Sequence, residues 1–237
     1  MPRGWWLTLL CLWLGGWPSR PSATERTDDT WYRLAAQRGN VTAQTELGAI
    51  YYYGFGVPKD PVRALFWYRE AAQQGDAWAG YKVGAMLEEG QGTARDPTTA
   101  AQWYRRVALR KSTGEGETDI VGWSRLKLGF MYRDGRGVQA DPGRSEKWFR
   151  LAAESGYVEA LYRLGEARLR AGERVAALTW FQRAATRGHG GAFDALTRLQ
   201  REFSPKQVAE AEAQAAQPLT AVATPEEEPQ ASVAPDS

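Results

Sequence analysis

An Asp-Pro pair followed seven residues later by a tryptophan occurs three times in this chain of 237 residues. An aspartate suits the N-cap of a helix because its carboxylate accepts hydrogen bonds from first-turn amides, and proline suits the first helical position. Each tryptophan is followed by a second aromatic residue and, four and five positions on, by small residues, which is the spacing of a packed helical face. Three unrelated helices would not share this register, so the pattern predicts a repeat. The motifs comprise Asp60 with Trp67, Asp96 with Trp103, and Asp141 with Trp148.

A second series marks another helix in each repeat. A small residue is followed four positions later by Leu-Gly or Val-Gly, and a Gly-x-Gly turn then leads to the Asp-Pro pair in three of the units. Because one helix pair cannot bury its apolar face, we expect the pairs to stack around a shared core. We expect the tryptophans to fill the space between units and the glycines to let the neighbouring backbone approach closely. The tryptophan series also includes Trp31 and Trp180, and the glycines are Gly48, Gly84, Gly129 and Gly165.

The combined pattern A-x₃-L-G-x₂-Y-x₂-G-x-G-V-x₂-D-x₃-A-x₂-W-Y-x₂-A-A-x₂-G resembles the Sel-1-like repeat, a relative of the tetratricopeptide repeat. Residues 43–75 follow it almost position for position, and the later units keep most of its glycine, aspartate and aromatic positions. The resemblance implies an all-α, right-handed superhelical solenoid of stacked helix-turn-helix repeats over residues 24–217. The predicted parts are a half-repeat at 28–39, repeats at about 43–75, 79–110, 124–156 and 160–188, and capping helices within 191–217.

The two ends of the chain differ from the repeats. Residues 1–23 have the layout of a secretory signal: one early arginine, an apolar run of ten residues from Trp5 to Leu14, and a small-residue end at Ala23. The run is shorter than the roughly 20 residues of a membrane-spanning helix, so we expect cleavage near Ala23, no membrane span in the mature form and a periplasmic or secreted protein. A retained N-terminal anchor is the alternative. Residues 218–237 contain four prolines and no aromatic residue, which predicts a disordered tail.

The charge and composition exclude several classes of function. Removing residues 1–23 would take away two arginines and no acid, which leaves acids and bases in balance and no basic stripe typical of nucleic-acid binding. Cys11, the only cysteine, lies in the predicted signal, so thiolate chemistry is not expected in the mature chain. His189, the only histidine, lies between two glycines and is interpreted as a surface turn residue. Glu88 and Glu89 fit a solvated helix end. We predict no enzyme, metal or cofactor.

Binding therefore remains as the function to locate. First helices line the concave face of helix-pair solenoids, so their side chains outside the packing stripe can meet a partner. Tyrosine and arginine dominate interaction hot spots, although each candidate could equally be an ordinary half-packed residue. The candidates are Tyr52, Tyr81, Phe130, Arg133, Tyr162 and Arg163.

An insertion of nine residues beyond the repeat period falls within 110–123. It places Ile120, Val121 and Trp123 in a polar segment. These residues either fill the groove between units or form an exposed docking spur.

The resemblance implies a non-catalytic protein–protein scaffold or adaptor, since exported bacterial members serve envelope machinery. The expected partners are proteins of the cell envelope. The alternative function is a glycan-binding protein, for peptidoglycan or an exopolysaccharide, whose tyrosines stack on sugar rings.

Overall fold

The computed structural model describes residues 28–110 and 117–219, with the side chains of residues 31–110 and 119–219. This part of the chain is all-α, without a strand. Its helices are α1 (Asp28–Gln37), α2 (Val41–Tyr53), α3 (Pro61–Gln73), α4 (Ala77–Glu89), α5 (Pro97–Ala108), α6 (Glu117–Asp134), α7 (Pro142–Glu154), α8 (Val158–Arg170), α9 (Arg174–Ala185), α10 (Gly190–Gln200) and α11 (Pro205–Ala216).

The helices form two compact units. Of the described residues, the first unit holds those up to Met86 together with Gly90–Ala94, and the second holds Leu87–Glu89 and the residues from Arg95 onward. In the first unit α2 packs against both α1 and α3. In the second, α5 to α9 pack in chain order, and α10 and α11 both pack against α9. Sequential packing of helix pairs is the arrangement of stacked repeats.

Local capping explains where the helices begin. A side-chain oxygen of the N-cap residue accepts a hydrogen bond from the third helical amide, and a proline follows in α3, α5 and α7. These bonds join Asp60 to Arg63 at 3.0 Å, Asp96 to Thr99 at 3.0 Å and Asp141 to Arg144 at 2.9 Å. Asn40 and Asp76 cap α2 and α4 in the same way.

The glycine of each Leu-Gly pair accepts an aromatic ring. A Cβ atom placed on Gly48 would lie 2.6 Å from the ring of Tyr68, and one on Gly129 would lie 2.5 Å from Phe149. Gly165 and Phe181 repeat the contact at 2.6 Å. The ring belongs in every case to the residue after the repeat tryptophan. The expectation that these glycines admit a neighbouring backbone is therefore wrong at these three positions, because a side chain occupies the space.

The tryptophans do not all fill the core. Trp148 is 1% exposed and Trp180 is buried, whereas Trp67 and Trp103 are half-buried. Trp31 is 62% exposed, so the prediction that it packs between repeats is wrong. Where the tryptophan is only half-buried, the next aromatic residue, Tyr68 or Tyr104, is fully buried instead.

The second glycine of the Gly-x-Gly turn sits against the start of an earlier helix. Gly137 has φ +71°, and a Cβ there would collide with the backbone of Pro97 at the start of α5. Gly92, with φ +73°, has the same relation to Pro61 at the start of α3. A positive φ and a close backbone approach both favour glycine.

The predicted insertion lengthens a helix. Residues 111–116 lie outside the described residues, and α6 then begins at Glu117, ahead of the predicted repeat start at residue 124. Val121 is buried and Ile120 half-buried, while Trp123 is 39% exposed. Neither the groove nor the spur alternative holds for all three residues, because successive positions on a helix point in different directions.

Candidate partner-binding surfaces

An aromatic cluster surrounds a lysine in the first unit. The Lys82 ammonium on α4 lies 4.7 Å from the ring centroid of Trp78, and 5.0 and 5.3 Å from those of Tyr52 and Tyr53 on α2. Its Nζ donates a hydrogen bond to the Tyr53 hydroxyl at 3.0 Å. Trp78 also stacks on Tyr81, with centroids 6.0 Å apart and 23° between planes. We call Tyr52, Tyr53, Trp78, Tyr81 and Lys82 the Lys82 cluster.

Helical spacing assembles this cluster. Trp78, Tyr81 and Lys82 are three and four positions apart on α4, so their side chains share a face. All five residues are half-buried and lie outside the buried core. Cation–π contacts hold the lysine beside the rings, which stay partly accessible, and this leaves an aromatic surface with one positive charge.

A second cluster lies on α6, α8 and the start of α10. The Arg133 guanidinium lies 4.9 Å from the Phe130 ring centroid, and Arg163 lies 5.5 Å from Phe130 and 5.3 Å from Tyr162. Tyr162 stacks on His189 with centroids 4.4 Å apart and 13° between planes. We call Phe130, Arg133, Tyr162, Arg163 and His189 the Arg163 cluster.

Glutamates hold the Arg163 cluster in place. Arg163 pairs with Glu159 at 2.6 Å and Glu166 at 2.8 Å, and His189 Nε2 lies 2.9 Å from Glu159. Burial alone would raise the pKa of Glu159, but the hydrogen bonds and charges of His189 and Arg163 hold that pKa below its usual value. The pKa of Tyr162 is raised by burial and by the Glu166 charge. Arg163 and His189 therefore share the Glu159 carboxylate, and Arg133 pairs with Asp134 at 2.6 Å.

Comparisons with known proteins place this geometry in a family. The Sel1 repeat profile matches residues 30–40, 41–76, 79–111, 124–157 and 158–189, which is more than half of the chain. The chain belongs to the Sel1 repeat family. Sel1 repeat proteins are generally non-catalytic scaffolds.

Two solved Sel1 repeat structures are similar to this chain. One is c5321, a protective antigen present in uropathogenic Escherichia coli strains that displays an SLR fold, with 31% identity and a TM-score of 0.64 over 79% of this chain. The chain spans 40% of the length of that protein. The other is a Sel1 repeat protein from Oxalobacter formigenes, with 32% identity and a TM-score of 0.63 over 79% of this chain and 77% of that one. The search of curated proteins found no match.

The structure distributes the six predicted binding residues of this Sel1 repeat protein over the two clusters. Tyr52 and Tyr81 lie in the Lys82 cluster, and the other four lie together in the Arg163 cluster. Sequence reasoning missed Tyr53, Trp78 and Lys82. The three- and four-residue spacing from Trp78 to Tyr81 and Lys82, and the position of Tyr53 next to Tyr52, could have indicated them. Sequence reasoning also missed His189, which is the N-cap of α10. Its Nδ1 accepts a hydrogen bond from the Ala192 amide at 3.2 Å.

One carboxylate of the second unit is buried, contrary to expectation. Glu88 was interpreted as part of a solvated helix end, but it is 6% exposed. Its carboxylate accepts hydrogen bonds from Tyr104 at 3.0 Å, Lys127 at 3.0 Å and Arg136 at 2.8 Å. The interpretation is wrong because the hydrogen-bond partners lie on α5, on α6 and in the turn after α6, up to 48 residues away in the chain.

Glu88→Gln should lower the free energy of unfolding by about 1.5–3 kcal/mol at pH 7, the usual range for hydrogen bonds to a charged group. Burial alone would raise the pKa of Glu88, but Lys127, Tyr104 and Arg136 hold it below its usual value. The stabilisation is therefore complete above the unfolded pKa of about 4.3 and is lost as pH falls through the lower folded pKa. Urea denaturation of the wild type and the variant at pH 7 and at lower pH measures how the difference between their unfolding free energies narrows. Exposed Glu89→Gln is the control, and an equal loss in both variants would contradict the assignment.

Neither a metal site nor a membrane span is found in the described part of this Sel1 repeat protein. Residues 28–110 and 117–219 contain no group of three or more His, Cys, Asp or Glu side chains placed to hold a metal ion. No helix within the same residues has the length and apolar character needed to cross a bilayer.

Proposed function

We propose that this Sel1 repeat protein is a non-catalytic scaffold or adaptor that binds a protein partner through its first helices. The observation that carries the proposal is the concentration of half-buried aromatic and cationic side chains in the Lys82 and Arg163 clusters, away from the buried core. Rings and guanidinium groups already held by neighbours lose little side-chain entropy on binding, and such residues dominate interaction hot spots.

The proposed partner is a protein of the bacterial cell envelope. Support comes from the signal-like layout of residues 1–23, which lie outside the described residues, and from the similarity to bacterial Sel1 repeat proteins. The E. coli relative is described as a protective antigen. Proximity labelling in the native envelope, followed by mass spectrometry, would identify the partner. Labelling of cytoplasmic proteins alone would contradict the envelope role.

Tyr81→Ala and Phe130→Ala should each weaken partner binding by about 1–3 kcal/mol, because each removes a ring from a preorganised cluster. Isothermal titration against the identified partner measures the loss, and circular dichroism checks that helical content is unchanged. Phe66→Ala removes an exposed ring from a second helix and serves as the matched control. If deletion of residues 220–237 abolished binding while both cluster variants bound normally, the recognition element would be the tail.

N-terminal sequencing of the exported protein should begin near Thr24, because the apolar run and the small residues before it favour cleavage there. Cys11 would then be absent from the mature chain, which would contain no free thiol. A mature chain that begins at Met1 and stays in the cytoplasm would contradict both the cleavage and the periplasmic or secreted location.

A glycan is the second candidate partner, and the stacked rings of Trp78 and Tyr81 favour it. Flat aromatic faces beside the Lys82 ammonium suit a sugar ring that carries a negative charge. Pull-down on peptidoglycan or an acidic exopolysaccharide tests this candidate. Retention that Trp78→Ala abolishes, with no protein partner labelled, would favour the glycan.

A further inference from the structure

Two arginines lie beside one tryptophan on the second helices α7 and α9, and a third arginine follows the end of α9. The guanidinium groups of Arg150 on α7 and Arg183 on α9 lie 5.8 and 5.5 Å from the ring centroid of Trp180. Burial lowers the pKa of Arg183, and the positive charges of Arg187 and Arg150 lower it further. Arg183 therefore lies close enough to each of the other two arginines to be repelled by it. We call Arg150, Trp180, Arg183 and Arg187 the arginine cluster.

The cluster has a surplus of positive charge. Among the described residues, none of its arginines forms a salt bridge, whereas Arg163 and Arg168 of the same unit each pair with two glutamates. Arg183 donates a hydrogen bond only to a neutral acceptor, the Gln214 carbonyl, at 2.7 Å. Glu154 lines the same groove as Arg187. Like charges held together without matching acids favour the binding of an anionic group.

The chain itself runs toward this cluster after its last helix. α11 packs against α9, where the Thr179 hydroxyl donates a hydrogen bond to the side-chain oxygen of Gln214 at 3.3 Å. Pro218 and Leu219 then line a groove together with Arg187, Ala153 and Glu154, and Leu219 packs on the core. Disorder was predicted from residue 218, but Pro218 and Leu219 are held in place beside Arg187.

The segment that follows carries the complementary charge. Glu226, Glu227 and Glu228 come seven to nine residues after Leu219 and are flanked by Pro225 and Pro229. Seven to nine extended residues span up to about 23–32 Å, which is ample to reach a cluster next to Arg187. The three glutamates lie outside the described residues. We propose that this acidic segment of the C-terminal tail binds the arginine cluster of its own chain.

The energetics suit an intramolecular contact. Each exposed glutamate–arginine pair is weak and salt-sensitive, but a short tether supplies a millimolar effective concentration, so several weak pairs hold together. Guanidinium groups also bind carboxylates through two parallel hydrogen bonds. The bound tail would cover the arginine cluster on α7 and α9, whereas the Arg163 cluster of the same unit lies on α6, α8 and the start of α10.

Arginine resonances of the full chain test the contact without disturbing the folded core. In ¹⁵N spectra at low salt, the Nε–H signals of Arg150, Arg183 and Arg187 should differ between the wild type and the variant E226Q/E227Q/E228Q. The matched control is E210Q/E212Q, which removes two acids from α11 and should leave these signals in place. Identical arginine signals in the wild type and the tail variant would overturn the proposal.

Cleavage of the tail by a glutamate-specific protease gives a second readout. We expect cleavage at residues 226–228 to be about three- to tenfold slower in the wild type than in R150Q/R183Q/R187Q at low salt, and the difference to vanish near about 0.5 M salt. The control R198Q/R201Q removes two exposed arginines of the same unit and should be cleaved like the wild type. Equal cleavage of wild type and cluster variant overturns the proposal. Protection that grows with protein concentration also overturns it, because the tail would then bind a second copy.

Discussion

Trp148→Ala should lower the free energy of unfolding by about 3–5 kcal/mol, the usual loss for a large aromatic side chain removed from a core. Trp148 is 1% exposed and lies on α7, between the helices α6 and α8 that pack against it. Its indole N–H has no hydrogen-bond partner among the described residues, so the loss comes from packing alone. Chemical denaturation with urea, followed by circular dichroism, measures it.

Trp31→Ala is the matched control for that experiment. The same substitution at the same place in the repeat pattern should cost less than about 0.5 kcal/mol, because the Trp31 side chain is 62% exposed. Half-buried Trp67 should fall between the two. Losses below about 1 kcal/mol at both Trp148 and Trp31 would show that the buried position of Trp148 is wrong.

Gly137→Ala is expected to destabilise the second unit by about 2–5 kcal/mol. The left-handed conformation, with φ +71°, costs an alanine about 1–2 kcal/mol, and forcing a methyl group into a packed space adds about 1–3 kcal/mol. The added Cβ would meet the backbone of Pro97, which cannot rotate away as a side chain can. Thermal and urea denaturation both report the change.

Gly135→Ala separates the two causes within the same turn. Gly135 also has a positive φ, +67°, but a Cβ there would have its closest contact at 3.4 Å, with the Ala140 methyl group. Only the conformational cost of about 1–2 kcal/mol should remain. If both variants lost the same stability, the approach of Pro97 to the turn would not contribute.

The helix pairs could be predicted because their signals are local. An aspartate caps a helix through amides three residues away, and a Gly-x-Gly turn needs only its own φ angles, so both are visible in a short stretch of sequence. The family and the all-α class follow from their repetition. Helix register also predicts the six candidate binding residues, but it does not predict that Lys82, Trp78 and His189 lie beside them.

The sequence by itself determined the repeat, its Asp-capped helix starts and its Gly-x-Gly turns, because these depend on residues within about two helical turns of one another. Only the tertiary structure decided which ring enters the core. Trp67 and Tyr68 are adjacent and similarly apolar, and Tyr68 is the buried one because Gly48 on α2 leaves space for its ring alone. The structure also decided that Glu88 is buried, since the cations that compensate it come from residues 39 and 48 positions away. Burial of this kind depends on which helices pack together, and a short stretch of sequence does not show that.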